Sequence, residues 1–311
     1  MRHRTFTSRL IFTAATTVAG LAVPTSSGRA DIVYVSNWNN STIEKFDSVT
    51  GANLGIFANI AGPRGVALDS GGNLYAVSYS NQQILRYTPA GVASVFATIS
   101  GHPEGLAFDS AGNLFMADYV ANTITKFTPG GSSSIFANTG LNQPYGLAFD
   151  TAGNLYAANN HGNSIEKFTP GGVGSVFATG LNGPIGLAFD NAANLYAANY
   201  NGQSIQKFTS GGSSSIFASG FADPSGLAFD SAGNLYVADQ WATPNYGAVY
   251  KVTSAGVVST FASTFLSGPV YIAIQPVPEP SVLALLCTAP MLLWALRRRF
   301  APLTAFRQDT I

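Results

Sequence analysis

The chain has 311 residues, with 15 Lys and Arg against 15 Asp and Glu, so its formal net charge is zero. Only 10% of the residues are charged and 12% are aromatic, a composition that excludes an intrinsically disordered chain. A nucleic-acid-binding protein would need a basic excess, which this sequence lacks. The one cysteine excludes an internal disulfide framework and any thiolate metal cluster.

The charge is unevenly distributed along the chain. Residues 1–30 hold four arginines and no acid, and residues 281–311 hold four arginines and one aspartate. The stretch between them therefore has seven basic and fourteen acidic residues, which makes it acidic. We interpret the two basic ends as segments separate from the middle.

The N-terminus has the layout of a secretory signal peptide. Several arginines precede a moderately apolar run over residues 10–23, and small residues follow it at Gly28 and Ala30. This layout predicts a signal peptide over residues 1–30, cleaved after Ala30. The alternative is a Thr-rich N-terminal helix that stays on the protein.

The middle of the chain is built from a repeat of 40 or 41 residues. The string GVALD or GLAFD occurs five times, and a degraded sixth copy, YIAIQ, occupies residues 271–275. The five copies start at Gly65, Gly105, Gly146, Gly186 and Gly226. Each is followed by a short Asp-to-Asn turn and then by three more short β-type runs with Gly-rich turns between them. Four short strands in a repeat of this length are typical of a β-propeller blade.

The repeat predicts an all-β fold, a six-bladed β-propeller of four-stranded blades over residues 31–276. The Gly and Ala of GLAFD suit the innermost strand, where the blades converge on the axis. Residues 32–35 (IVYV) match the second strand of a unit, and residues 271–275 match the missing first strand. We therefore expect the last blade to be closed by both termini, which leaves few exposed strand edges.

The C-terminal region consists of a stiff turn, an apolar run over residues 282–296 and an arginine cluster. The turn is Val277, Pro278, Glu279 and Pro280, and the cluster is Arg297, Arg298 and Arg299. Fifteen helical residues span about 22 Å, and local thinning with snorkelling arginines accommodates them in a hydrocarbon core of roughly 30 Å. We predict a short C-terminal transmembrane helix followed by a cytoplasmic tail over residues 301–311.

The order of these three parts resembles the PEP-CTERM sorting signal of Gram-negative bacteria over residues 277–300. The resemblance implies processing near Pro-Glu-Pro by an exosortase, a membrane enzyme. It also implies a transient inner-membrane anchor and a final location at the cell surface or in the extracellular matrix. The chain departs from that family in the eleven residues that follow the arginines. The alternative is an ordinary C-terminal membrane anchor.

Within the repeat, the patterns Pro-x-Gly-Leu-Ala-Phe-Asp, Gly-Asn-Leu-Tyr-Ala-Ala-Asn and Ile-x-Lys-Phe follow one another. They resemble the NHL repeat and its gluconolactonase-like and streptogramin-lyase-like relatives over about residues 32–275. The resemblance implies a propeller fold. It implies little about function, because propellers host enzymes, binding modules and scaffolds alike.

Loops that join the second to the third strand, and the fourth strand to the next first strand, should gather on one face of the ring. They carry four candidate catalytic residues: Arg64, Glu104, His102 and His161. A pocket near the axis would combine a His general base with a Glu or Arg that binds the substrate. The alternative, which the sequence favours, is that all four are solvated loop residues.

The same loops carry six aromatic residues that are candidates for ligand binding: Trp38, Tyr79, Tyr119, Tyr145, Tyr200 and Trp241. Aromatic rings beside amides bind sugars or peptides through stacking and hydrogen bonds. The alternative is that the rings only brace the loops by packing.

Four oxygen-bearing residues end the second strands of neighbouring units: Asp118, Asn159, Asn199 and Asp239. Such oxygens are the ligands that a hard cation prefers. A position that is polar in every blade points instead to a structural role, so we predict no cofactor and leave a hard divalent cation such as Ca²⁺ open.

The function expected from these features is a non-enzymatic binding or structural module of the cell surface or extracellular matrix. Its expected partners are an exosortase-type enzyme and glycans or surface proteins, and its acidic middle argues against nucleic acid. The alternative is a secreted hydrolase or lyase that acts on lactone-type small molecules at the central pocket. Convergence of the four candidate catalytic residues within hydrogen-bonding reach would favour the enzyme.

Overall fold

The computed structural model describes residues 30–242 and 247–277. Within these residues the strands form six four-stranded antiparallel sheets, numbered in chain order as β1 to β24. The inner strands are β4 (Pro63–Leu68), β8 (Pro103–Phe108), β12 (Pro144–Phe149), β16 (Pro184–Phe189), β20 (Pro224–Phe229) and β24 (Pro269–Gln275). The second strands are β1 (Ile32–Asn37), β5 (Leu74–Ser78), β9 (Leu114–Asp118), β13 (Leu155–Asn159), β17 (Leu195–Asn199) and β21 (Leu235–Asp239).

The two remaining strands of each sheet lie further from the axis. The third strands are β2 (Thr42–Asp47), β6 (Gln83–Tyr87), β10 (Thr123–Phe127), β14 (Ser164–Phe168), β18 (Ser204–Phe208) and β22 (Ala248–Val252). The outer strands are β3 (Asn53–Asn59), β7 (Ala93–Thr98), β11 (Ser133–Ala137), β15 (Gly174–Thr179), β19 (Ser214–Ser219) and β23 (Val258–Ala262). Blades 1 to 5 comprise β4–β7, β8–β11, β12–β15, β16–β19 and β20–β23, and the sheet of blade 6 has the order β24-β1-β2-β3.

The inner strands form a closed ring, because each contacts the inner strand of the next blade and β24 contacts β4. The predicted all-β propeller of six four-stranded blades is therefore confirmed. Residues 1–29 and 278–311 lie outside the described residues. They include most of the predicted signal peptide, the predicted transmembrane helix and all of the predicted sorting signal except Val277. In the part of the chain that is described, no helix has the length and apolar character needed to cross a membrane.

Aromatic rings join one blade to the next. Tyr75 of β5 contacts Phe96 of its own outer strand and Phe108 of the neighbouring inner strand, with ring centres 5.0 and 4.9 Å apart. Both contacts are edge-to-face, a geometry that adds about 0.5–1.5 kcal/mol per pair beyond burial. Blades 2, 3 and 4 repeat the same trio. The buried hydrophobic side chains of the described residues accordingly form six clusters, each between two neighbouring blades.

The turns after the inner strands lie on the face opposite the predicted ligand loops. In the first turn of blade 2, Asp109 accepts backbone N–H bonds from Ala111 and Asn113 at 3.0 and 2.8 Å. The Asn113 side chain donates a third bond to the same carboxylate at 2.7 Å. These bonds agree with the predicted role of the repeated Asp and Asn in turn formation.

The glycine of each GLAFD-type string keeps the inner strands close together. A Cβ built on Gly65 would collide with the backbone oxygen of Glu104 on the next inner strand, and Gly105, Gly146 and Gly186 meet the same obstacle. In every other inner strand the glycine is the third residue, two positions after the proline. In β24 the third residue, two positions after Pro269, is Tyr271. The sixth inner strand therefore places a large side chain where the repeat has none.

Candidate functional site

A cavity of about 470 Å³ opens on the axis, on the face that carries the predicted ligand loops. Its floor is formed by the residue after the proline of every inner strand: Arg64, Glu104, Tyr145, Ile185, Ser225 and Val270. Part of its wall comes from the loops after the second strands: Asn160, His161, Tyr200, Asn201, Gln240 and Trp241. A volume of roughly 300–1,000 Å³ is usual for small-molecule sites. We call this space the axial cavity.

A β-bulge at the start of each inner strand explains why one residue per blade reaches the axis. In blade 1, Pro63 pairs with Ser78 and Val66 pairs with Ala76, so two residues of β4 face one of β5. Proline fits the strand start because it has no N–H to donate. A bulge bends the strand and re-aims a side chain, and here Arg64 is the bulged residue that lines the cavity.

The guanidinium of Arg64 is held against two aromatic rings. Its central carbon lies 3.9 Å from the ring centre of Trp38 and 5.6 Å from that of Tyr79. The Arg64 Nε atom lies 3.6 Å from Oε1 of Glu104, an ion pair longer than a hydrogen bond. Within the described residues this buried Nε has no hydrogen-bond partner. The two rings therefore hold the cation by cation–π contact, and its Nε–H is left without a partner among the described residues.

Glu104 is a buried acid, with only 1% of its surface exposed. Loss of hydration raises its pKa to about 7, although the charge of Arg64 and the hydroxyl of Tyr271 act to lower it. Its Oε2 atom is buried and, among the described residues, makes no hydrogen bond of standard geometry. Glu104 thus changes its charge near neutral pH at the floor of the axial cavity.

Tyr271 links the floor of the axial cavity to a second, smaller cavity further along the axis. Its hydroxyl interacts with Glu104, Arg64 and Tyr145 of that floor. Tyr271 is also one of the residues that line the second cavity, which has a volume of about 50 Å³. Burial raises the pKa of Tyr271 well above its ordinary value, so the hydroxyl stays protonated. In the sequence, Tyr271 begins the degraded repeat YIAIQ, and the loss of the consensus glycine there is the one signal of its role.

Five rings form a continuous arc along one side of the cavity mouth, which we call the aromatic arc. It consists of Trp38, Tyr79, His102, Tyr119 and Tyr145, from blades 6, 1, 2 and 3. The successive ring centres are 5.6, 6.0, 5.3 and 5.3 Å apart, and the last pair is stacked. Partial burial, followed by a hydrogen bond with Tyr79, raises the pKa of the Tyr119 hydroxyl.

The opposite side of the mouth is richer in amides. It presents Asn160, Asn201 and Gln240, and we call these three residues the amide wall. Beside them lie Tyr200 and Trp241, and Trp241 has 41% of its surface exposed. Of the aromatic arc, Tyr145 is the member that lines the axial cavity itself, and Tyr119 stacks on it from outside. The lining of the cavity therefore combines the rings of Tyr145, Tyr200 and Trp241 with amide hydrogen-bonding groups.

The four candidate catalytic residues are only partly brought together. Arg64 and Glu104 form the ion pair at the cavity floor. His102 packs between Tyr79 and Tyr119 in the aromatic arc, whereas His161 is exposed on the other side of the mouth. In residues 30–242 and 247–277, no hydrogen bond joins either imidazole to Arg64 or Glu104. The favoured interpretation of all four as solvated loop residues is wrong for Glu104, because the narrowing ring of inner strands buries it.

The six candidate aromatic residues lie around the same mouth. Trp38, Tyr79, Tyr119 and Tyr145 belong to the aromatic arc, and Tyr200 and Trp241 line the cavity beside the amide wall. Their mutual packing also braces the loops, so bracing and ligand binding are not exclusive.

The four oxygen-bearing residues at the ends of the second strands are engaged in backbone hydrogen bonds. Asp118 accepts from the N–H of His102 at 3.0 Å, and Asp239 accepts from Ala222 and Asp223 at 2.8 Å. Asn159 and Asn199 accept equivalent bonds from the loops that precede their own blades. Within the described part of the chain, no group of three or more His, Cys, Asp or Glu side chains is placed to hold a metal ion.

Comparison with known proteins identifies the fold. No family profile matches the chain, and no curated protein matches it in sequence. Among solved structures, a chain of the nidogen/laminin complex is 21% identical with a TM-score of 0.71, covering 79% of this chain and 98% of that one. Virginiamycin B lyase from Staphylococcus aureus is 16% identical with a TM-score of 0.60, covering 80% and 92%.

A gluconolactonase from Xanthomonas campestris is also similar, at 18% identity and a TM-score of 0.61, covering 77% of this chain and 88% of that one. The structural neighbours of this six-bladed propeller thus include a chain of a nidogen/laminin complex, a streptogramin lyase and a gluconolactonase. At these identities they share the fold, and a fold by itself does not define a function.

Proposed function

We propose that the chain is an exported propeller that acts as a non-enzymatic binding module, with the axial cavity as its site for a glycan. The observation that supports this most directly is that three aromatic rings, Tyr145, Tyr200 and Trp241, line the same cavity as the amide wall. Sugar rings present apolar C–H faces to aromatic rings and hydroxyls to amides, so a site for them needs both surfaces.

Similar structures are compatible with such a role. The nidogen/laminin structure is a complex of two proteins, so a propeller of this shape occurs in a pair of binding partners. The virginiamycin B lyase and the gluconolactonase are enzymes on the same fold. The choice between binding and catalysis therefore depends on the axial cavity of this chain.

The binding proposal is tested on a glycan array with the protein, Tyr119→Ala and Val176→Ala. Tyr119 stacks on Tyr145, which lines the cavity, so its loss should leave that ring less well positioned and weaken binding roughly fivefold, for a loss of about 1 kcal/mol. Val176 lies exposed on outer strand β15, far from the mouth, and its variant should bind as the parent does. Equal binding by Tyr119→Ala and the parent would contradict the proposal.

A second candidate function is hydrolysis or lysis of a lactone-type small molecule. Glu104 supports it, because a buried carboxyl with a pKa of about 7 is suited to take up or release a proton near neutral pH. Incubation with glucono-1,5-lactone distinguishes the two functions. Turnover that disappears in Glu104→Gln would favour the enzyme, whereas glycan binding without turnover favours the binding module.

Export and sorting complete the proposal. The signal peptide over residues 1–30 would direct the chain out of the cytoplasm, and residues 277–300 would hold it at the inner membrane until an exosortase acts. Deletion of residues 277–311 should then release the chain from the membrane fraction as soluble protein. Retention of the shortened chain in the membrane fraction would argue against the anchor, and fractionation with immunoblotting measures the outcome.

A further inference from the structure

Arg64 is the one Lys or Arg side chain, among those described, that lines the axial cavity. The lysines at 167, 207 and 251 instead form ion pairs with turn aspartates on the opposite face of the ring. The cavity therefore contains a single permanent positive charge, at its floor.

The geometry of Arg64 leaves its hydrogen-bonding edge available. The central carbon of the guanidinium lies 3.9 Å from the ring centre of Trp38, and the buried Nε atom faces Glu104. Among the described residues, no hydrogen bond involves the two terminal NH₂ groups. A planar cation with free N–H groups fits the two oxygens of a carboxylate, which it binds through parallel hydrogen bonds. Stacking on Trp38 also reduces the side-chain entropy that binding would otherwise cost.

Glu104 is the group that opposes such binding. Its carboxyl lies 3.6 Å from Nε of Arg64 and, when ionised, neutralises the cation. The other titratable groups that face Glu104 are tyrosines: Tyr119 beyond β9, Tyr145 of β12 and Tyr271 of β24. All three have raised pKa values and stay neutral near pH 7, so the charge of the floor depends on Glu104.

We propose that the axial cavity binds ligands that carry a carboxylate, such as the uronic-acid residues of an acidic glycan, through Arg64, and that Glu104 competes with that carboxylate. This inference rests on the proposed glycan-binding function and specifies its ligand class. With Glu104 protonated, Arg64 is an unbalanced cation in a partly enclosed cavity, and an incoming carboxylate restores neutrality.

The competition makes binding depend on pH. A sugar carboxylate, with a pKa of about 3.5 like other exposed α-substituted acids, stays ionised above pH 5. Because burial raises the pKa of Glu104 to about 7, the Glu104 proton is lost as the pH rises through neutrality. Affinity for the acidic ligand should therefore fall above pH 7, by at most about tenfold for each further pH unit.

The test is isothermal titration calorimetry with trigalacturonate and with its trimethyl ester, which has a similar shape and no charge. We expect the acid to bind at least tenfold more tightly than the ester at pH 5.5, and this preference to shrink at least fivefold by pH 8.5. Glu104→Gln should keep the preference at pH 8.5, and Arg64→Gln should lose it at both values. The pH profile of the unaltered protein tests the competition even if a variant fails to fold.

The outcomes separate this inference from the proposed function. Equal binding of the acid and the ester overturns the carboxylate site and leaves glycan binding intact. Preference for the acid that does not change with pH overturns the competition by Glu104. Failure to bind either trisaccharide, together with no binding on the glycan array, overturns both proposals.

Discussion

Replacement of Glu104 by glutamine should change how the stability of the fold depends on pH. Folding raises the pKa of this carboxyl from 4.5 to about 7, which corresponds to about 3 kcal/mol of free energy of unfolding. The fold favours the neutral acid, so this stability is present below pH 4.5 and is lost as the pH rises towards 7. Because glutamine cannot ionise, the free energy of unfolding of Glu104→Gln should not show this decrease with rising pH.

Urea denaturation followed by tryptophan fluorescence, repeated between pH 4.5 and 8.5, measures the effect. The parent should lose about 3 kcal/mol over this range, and Glu104→Gln should become the more stable protein at pH 8. His161→Gln is the control, because this exposed residue lies across the mouth, and it should follow the parent. A Glu104→Gln curve parallel to that of the parent would refute the assignment of this titration to Glu104.

Three further predictions concern the ring and its turns. Gly146→Ala should destabilise the fold by at least about 2 kcal/mol in urea, since its Cβ meets the neighbouring backbone, whereas Gly171→Ala, in a turn with room for a methyl group, should stay within about 1 kcal/mol. Asp190→Ala should cost about 2 kcal/mol at pH 7, because the carboxylate accepts several turn hydrogen bonds. Burial acts to raise the pKa of Asp190, but hydrogen bonds from Asn194 outweigh burial and hold the pKa below 3.8. The loss of stability in Asp190→Ala should therefore shrink as the pH falls below 3.8. An equal loss at pH 2 and pH 7 would contradict this explanation. Tyr271→Phe should raise the pKa of Glu104 further, since the hydroxyl acts to lower it, and a carboxyl ¹³C titration showing a lower pKa would contradict this role.

The architecture was predictable because each blade repeats the same packing problem. The glycine of GLAFD allows close approach of the inner strands, the aromatic residue of the second strand contacts the next blade, and the Asp-to-Asn segment forms a turn. All three features recur at a fixed interval in the sequence. Residues such as Gly105 and Asp109 therefore revealed their roles from spacing alone, and the structure places both as the repeat requires.

The candidate site was less predictable, because it is built from the positions at which the repeats differ. Arg64 and Glu104 are candidates from the sequence, yet residue type alone does not show the burial that raises the pKa of Glu104. Their partner Tyr271 lies on β24, far along the chain, and its importance comes from the glycine that it replaces. A departure from a structural consensus was a better signal for the site than the residue type itself.

The narrowing of the axis also bears on how a ligand can enter. The lower cavity, lined by inner-strand residues that include Tyr271, has a volume of about 50 Å³, against about 470 Å³ for the axial cavity. A space of that size holds about one or two water molecules but no sugar ring. We therefore expect a polysaccharide to reach Arg64 from the open face, by a chain end, a branch or a single projecting group.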